Sequence, residues 1–63
     1  MKIVEHRIEK GKTITTCLCI GITKEQGLRI VNKLNNKYSY ICDDCALWFE
    51  LIEDSYQINI FIY

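Results

Sequence analysis

The stretch Tyr40-Ile-Cys-Asp-Asp-Cys45, together with Cys17-Leu-Cys19, decides how this 63-residue chain can fold. It places four cysteines in two close pairs, one on each side of residues 20–41. Structural zinc sites commonly take two such pairs from two chain segments, because closely spaced cysteines reach one ion without closing a long loop. We therefore predict one Zn²⁺ ion bound by Cys17, Cys19, Cys42 and Cys45.

Size is the physical reason to expect such a site. A domain this small buries only about 60% of its unfolded surface, so a metal, disulfides or a partner usually adds stability. Buried thiols or disulfides are one alternative for these cysteines. An iron site, or a redox-active pair formed by Cys42 and Cys45, is another.

The start of the chain bears on the choice between metal and disulfide. Met1-Lys-Ile-Val-Glu-His-Arg7 contains no apolar run of signal-peptide length, and no stretch approaches the roughly 20 apolar residues of a membrane span. We expect a protein of the bacterial cytoplasm with no membrane partner. Disulfides are rare there, and paired cysteines more often bind metal.

Upstream of the second cysteine pair, two β-prone runs at residues 3–8 and 13–20 flank a short turn. Gly11 accepts positive φ, so Lys10-Gly11 predicts the loop of a β-hairpin. This register sets His6 opposite Thr15. Because side chains repeat every two residues, Cys17 and Cys19 are then expected on the same face.

The next segment predicts a helix. Thr23-Lys-Glu-Gln26 has the form of a capping box, and the helix is expected to stop at Asn35-Asn36. Gly27 costs this helix about 1 kcal/mol relative to Ala. Leu28, Ile30, Val31 and Leu34 form the predicted apolar side, and Gln26, Arg29, Lys33 and Lys37 the polar side.

The remaining segments complete a single α+β domain over residues 1–63. Residues 37–41 predict a short strand that leads into Cys42, and residues 56–62 alternate as a C-terminal strand. Residues 43–53 fit a helix capped by an aspartate or, less cleanly, a strand, and we favour the helix. The expected architecture is a small zinc-stapled domain with an N-terminal hairpin, one or two helices and a C-terminal strand.

The segment from Cys17 to Asp54 resembles treble-clef zinc domains, above all the small N-terminal zinc domain of the ClpX unfoldase. The residues that carry the resemblance are 40–45, followed by the helix-like run from Ala46 to Asp54. The resemblance implies that the four cysteines are ligands, that residues 43–53 are helical, and that the domain binds proteins, often as a dimer. The single residue between Cys17 and Cys19 departs from the usual spacing.

Charge separates along the chain although the net charge is zero. Every basic residue lies at or before Lys37, and only acidic charges follow. Acidic residues beside apolar ones are typical of a surface that binds a basic protein. The residues predicted to contact such a partner are Asp43, Asp44, Leu47, Trp48, Phe49, Glu50, Glu53 and Asp54.

Size and composition also resemble phage-encoded inhibitors such as anti-CRISPR proteins and anti-sigma factors. The leading expectation is a zinc-stabilised inhibitor that binds the basic surface of a host nucleic-acid enzyme, such as a type II CRISPR nuclease. The alternatives are a nucleic-acid-binding zinc module or transcription regulator using Arg29, Lys33 and Lys37, and a ClpX-like adaptor-binding domain. A homodimer is compatible with each.

No enzyme is predicted. His6 is the single histidine, and a catalytic role would need a nucleophile or a second acid in a defined pocket. We expect His6 to be a strand side chain near the cysteines.

Overall fold

The computed structural model describes residues 1–55, so the strand predicted over residues 56–62 lies outside the described residues. One helix lies against a four-stranded antiparallel sheet of order β2-β1-β4-β3, which confirms the α+β class. The elements are β1 (Lys2–Glu9), β2 (Lys12–Cys19), α1 (Lys24–Tyr38), β3 (Tyr40–Ile41) and β4 (Cys45–Ile52).

The N-terminal hairpin is confirmed with its predicted register. Lys10 and Gly11 form the turn with φ of 51° and 77°, the double positive φ that suits the twist of a two-residue hairpin loop. His6 lies opposite Thr15, as expected. Sequence patterning is reliable here because the turn residues alone set the register.

The end of β2 departs from the prediction. Val4 lies opposite Cys17, but Ile3 lies opposite Cys19, so Leu18 is an extra residue in a β-bulge. Cys19 therefore packs against the core while Cys17 is exposed. The expectation that both thiols share one face is wrong, because the bulge shifts the alternation by one residue.

Helix α1 begins with the predicted capping box. The Thr23 hydroxyl accepts from the Gln26 backbone N–H at 3.2 Å, and the Gln26 side chain accepts from the Thr23 N–H at 3.2 Å. The helix continues past Asn35 to Tyr38. The predicted stop fails because the Asn35 side chain bonds to β4, where its amide donates to the Phe49 carbonyl at 3.0 Å and accepts from the Phe49 N–H at 2.9 Å.

The segment predicted as a second helix is strand β4, so the expectation for residues 43–53 is wrong. β4 pairs with β1 over its whole length, from Cys45 opposite Glu9 to Ile52 opposite Lys2. Long-range pairing with β1 overrides the local helical pattern of these residues. The helix implied by the ClpX resemblance is not formed in this segment.

Alternation along β4 builds the core. The face of the sheet on which α1 lies, here called the helix-side face, buries Ile3, Leu47 and Phe49 against Val31. Gly27 allows α1 to lie close to β4, because a Cβ at this position would overlap the Leu51 side chain. The predicted apolar side of α1 is correct for Val31 and Leu34, whereas Leu28 and Ile30 are exposed.

Candidate functional site

A tight turn between β3 and β4 positions the second cysteine pair. Cys42 and Cys45 face each other across Asp43-Asp44, with their Cα atoms 5.1 Å apart, and are joined as a disulfide. The Cys42 N–H donates to the Cys45 carbonyl at 2.8 Å, and the Lys10 N–H donates to the Asp44 carbonyl at 3.2 Å. Residues 42–45, here called the hairpin tip, are thus tied to the β1–β2 turn.

The hairpin tip contains a group of side chains that could hold a metal ion. One potential ligand atom from each of Cys42, Asp44 and Cys45 lies within 4.8 Å of the others. Thiolate and carboxylate are both ligands of Zn²⁺. The disulfide uses both sulfurs, so metal binding requires the dithiol form. Asp44, which the sequence predicts to contact a partner, thus also belongs to this group of potential ligands.

The first cysteine pair lies at the other end of the sheet. Cys19 is opposite Ile3 and Cys45 is opposite Glu9, so about 20 Å of β1 separates them at about 3.4 Å per residue. Cys17 and Cys19 are free cysteines. The single site predicted for Cys17, Cys19, Cys42 and Cys45 is therefore not formed in this structure.

Beside the hairpin tip, the short strand β3 leaves apolar side chains exposed. Tyr40 is 43% exposed, Ile41 89% and Trp48 39%. Ser39, Ala46 and Leu47 complete the lining of a shallow depression of about 440 Å³ next to them. The exposed side chains of Tyr40, Ile41 and Trp48, with Asp43 and Asp44, are here called the docking edge.

The structure divides the residues predicted to contact a partner. Leu47 and Phe49 are buried in the core at 8% and 6% exposure, so their assignment to the partner surface is wrong. The predicted helix would have grouped these residues with Trp48. In the strand, Leu47 and Phe49 point to one face of the sheet and Trp48 points to the other. Asp43, Asp44, Glu50, Glu53 and Asp54 are exposed.

Two of these carboxylates already have cationic or imidazole partners. Glu50 Oε1 lies 3.0 Å from Nε2 of His6. The N-terminal ammonium of Met1 donates to Asp54 at 2.8 Å, and this hydrogen bond holds the pKa of the Asp54 carboxyl below its usual range. Of the five carboxylates, Asp43 and Asp44 at the hairpin tip and Glu53 are the ones for which the described residues show no such partner.

His6 links three strands on the face of the sheet opposite α1. Its Nδ1 lies 3.1 Å from the Thr15 hydroxyl, and its ring stacks on Trp48 with centroids 5.0 Å apart. Together with the Glu50 contact, these interactions join β1, β2 and β4. His6 is thus a strand side chain, as expected. Cys17, opposite Val4, is the next position on the same face of the sheet, whereas Cys19 and Cys45 lie opposite residues three positions away along β1.

The predicted basic side of α1 is confirmed as a surface. Arg29, Lys33 and Lys37 are exposed, and their spacing of four residues places them in one row.

The sequence analysis did not predict Tyr40 and Ile41 as surface residues. The signal that could have indicated them is their position in a short strand just before Cys42.

No protein family, curated protein or solved structure matches the chain. Within residues 1–55, no helix is long and apolar enough to cross a membrane.

Proposed function

We propose that the protein is a stoichiometric protein-binding module whose docking edge contacts a basic partner. The observation that carries this proposal is the exposure of Tyr40, Ile41 and Trp48 around one depression, together with Ile41, which also lines a second depression with Asp43 and Asp44 of the hairpin tip. Aromatic and aliphatic anchors surrounded by charge are the usual anatomy of a specific protein interface. Acidic residues at the rim speed association with a basic surface and set its orientation.

The partner class follows from this charge and from the size of the chain. Enzymes that act on nucleic acids present basic surfaces that neutralise phosphates. A small acidic module on such a surface competes with the nucleic acid. We propose inhibition of a host nucleic-acid enzyme by this mechanism, as an anti-CRISPR protein of a phage would act on a type II CRISPR nuclease.

The test is DNA cleavage by a purified type II CRISPR nuclease with increasing amounts of this protein. We expect inhibition that is complete near one equivalent. Ile41→Asp and the double variant Asp43→Lys/Asp44→Lys should weaken it by at least about tenfold. Glu53→Lys, which changes one exposed carboxylate outside the docking edge, is the matched control and should inhibit like the wild type. Full inhibition by the charge-reversed double variant would contradict the role of the docking edge. Absence of inhibition by the wild type would contradict a type II CRISPR nuclease as the partner.

We further propose that the reduced hairpin tip binds zinc through Cys42, Asp44 and Cys45. Three protein ligands leave one coordination position for water or a group of the partner. Bound zinc would hold the turn that presents Asp43 and Ile41, and binding would require both thiols to be deprotonated.

Zinc titration of the reduced protein, followed by native mass spectrometry, tests this proposal. We expect one equivalent to bind, Cys42→Ser to abolish binding, and Cys17→Ser to leave it unchanged. Loss of binding in Cys17→Ser instead would indicate that the first pair supplies ligands.

Nucleic-acid binding is a second candidate, supported by the exposed row Arg29, Lys33 and Lys37. It predicts direct binding to DNA or RNA that weakens steeply with salt. Electrophoretic mobility shifts at low salt, measured for the wild type and for Lys33→Glu, distinguish nucleic-acid binding by this row from protein binding by the docking edge. Retention of bare nucleic acid by the wild type and not by Lys33→Glu would favour this candidate.

A further inference from the structure

A groove runs along the helix-side face between α1 and β2. Helix α1 lies mainly over β4, and in residues 1–55 no second helix covers β1 and β2. The groove has a volume of about 330 Å³, with Glu5 and Arg7 of β1 on its floor, Leu18 of β2 on one wall, and Leu34 and Tyr38 of α1 on the other.

The walls of this groove are apolar and exposed. Leu18 is 48% exposed and Tyr38 is 50% exposed. Ile30, at 39%, precedes Leu34 by four residues, so Ile30, Leu34 and Tyr38 form one apolar row along α1. Ile30 also borders a smaller depression with Ile22, which extends the same surface toward the start of the helix.

A basic row follows the apolar row along the helix. Arg29, Lys33 and Lys37 each precede one of its members by one residue, and all three are exposed. Lys37 Nζ lies 5.4 Å from the centre of the Tyr38 ring, which places this charge at the rim of the groove. The guanidinium of Arg7 adds a cation on the floor, where Glu5 and Glu9 are 3.9 and 3.5 Å away, longer than strong charge-assisted bonds.

We propose that this groove binds an amphipathic helix of a partner protein, with an apolar ridge facing Leu18 and Leu34 and acidic residues facing the basic row. A helix fits because apolar grooves of this kind accept side chains spaced three and four residues apart, and because a second helix beside α1 would cover the uncovered half of the sheet. The partner is acidic because the basic row and Arg7 outnumber Glu5 and Glu9. The walls disfavour nucleic acid, since Leu18, Ile30 and Leu34 are aliphatic and bases stack on aromatic side chains.

This surface has the opposite charge preference to the docking edge. Among the described residues, the groove shares only the buried Leu47 with the depression at that edge, and neither set of substitutions changes Leu47. The two proposals therefore fail independently. Substitutions in the groove should leave inhibition through Ile41 intact, and substitutions at the hairpin tip should leave helix binding intact.

The test is a displayed library of helices about five turns long, with leucines fixed at spacings of three and four and the flanking positions varied among Glu, Gln and Lys. We expect selection on the wild type to enrich Glu over Lys by at least about tenfold at positions along one flank. Selection on the double variant Lys33→Glu/Lys37→Glu should reverse the preference to Lys, because the apolar walls remain and the rim changes sign.

Two leucines of similar exposure provide the control. Leu18→Asp places a charge on the groove wall and should abolish enrichment, whereas Leu28→Asp changes a leucine that is 46% exposed and does not line the groove. Circular dichroism of both variants checks that each is folded. Enrichment of Lys on the wild type, equal enrichment on Leu18→Asp, or no enrichment would overturn the proposal. Tighter binding of a fluorescent single-stranded oligonucleotide than of the selected helix would overturn it in favour of nucleic acid.

Discussion

Trp48 and Phe49 are neighbours in β4, yet they belong to different chemical environments. Phe49 is 6% exposed and packs with Ile3 and Val31 on the helix-side face. Trp48 is 39% exposed and stacks on His6 on the opposite face. The helix-side face at β4 is an apolar core, while the face around Trp48 carries a network of polar contacts through His6.

The difference between these two side chains is one of burial, which sets how much each contributes to the free energy of unfolding. A domain of this length has a free energy of unfolding of roughly 3–9 kcal/mol, so the few side chains buried under α1 account for much of it. Contacts around His6 are partly solvated and contribute less each. Within residues 1–55, the two surfaces proposed to bind partners are the docking edge and the groove beside α1, whose exposed side chains lie outside this buried cluster.

Paired alanine substitutions test this contrast most directly. Phe49→Ala should lower the free energy of unfolding by about 3–5 kcal/mol, because it removes a buried ring and leaves a cavity. Trp48→Ala should lower it by about 1 kcal/mol, since its ring stays partly in water and loses mainly the contact with His6. Urea denaturation followed by circular dichroism measures both.

Phe49→Leu is the milder variant for the case in which Phe49→Ala does not fold. It should still cost more than Trp48→Leu. Similar losses at the two positions would contradict the alternation of β4, which buries Phe49 on one face and leaves Trp48 partly exposed on the other.

The second largest effect is expected at the contact between α1 and the edge of β4. Asn35→Ala removes both hydrogen bonds to the Phe49 backbone and leaves a part-buried N–H and C=O unpaired. We expect a loss of about 2 kcal/mol. Asn36→Ala is the matched control because it makes the same change of residue at the next, exposed position of the helix. Hydrogen exchange at the Phe49 amide should quicken in Asn35→Ala alone, and equal effects of the two variants would argue against this clamp.

The elements set by local chemistry are the ones that sequence patterning predicts correctly. The turn at Lys10-Gly11 and the capping box at Thr23 each depend on residues within a few positions of one another in the sequence. They specified the hairpin register and the start of α1 without knowledge of the rest of the fold.

The elements set by distant contacts are the ones that patterning missed. Residues 45–52 fit an amphipathic helix locally, and only β1, some forty residues earlier in the sequence, makes them a strand. The extra residue Leu18 has no local signature, yet it turns Cys19 away from Cys17. The candidate site followed these errors. The sequence indicated Cys42 and Cys45 as a pair of ligands, but the structure places them in a turn between two strands, at the opposite end of the sheet from Cys17 and Cys19.

A smaller effect is expected where α1 lies closest to β4. Gly27→Ala gains about 1 kcal/mol of helix propensity, but the new methyl group must displace the Leu51 side chain. Because Leu51 is flexible and half-buried, we expect the two terms to leave a net change within about 1 kcal/mol.

A double-mutant cycle with Leu51→Ala separates these two terms. In the Leu51→Ala background the overlap is gone, so Gly27→Ala should stabilise the protein by about 1 kcal/mol. Thermal unfolding of the wild type, the two single variants and the double variant gives the coupling free energy between positions 27 and 51. An identical effect of Gly27→Ala in both backgrounds would mean that the helix does not approach the sheet at this point.

The smallest effect is expected for the exposed ion pair between Asp54 and the N-terminal ammonium, which lies outside the core. The hydrogen bond from Met1 lowers the pKa of Asp54 in the folded state below its usual value of 3.8. The unfolded protein therefore binds a proton first as pH falls, so the stabilisation is present above about pH 4 and is lost as pH falls through the folded-state pKa. The difference in stability between the wild type and Asp54→Asn, followed by thermal unfolding against pH, should shrink below pH 4. It should also shrink in about 1 M salt, since exposed pairs are screened. A difference that persists at low pH would show that the Asp54 side chain contributes through packing instead of charge.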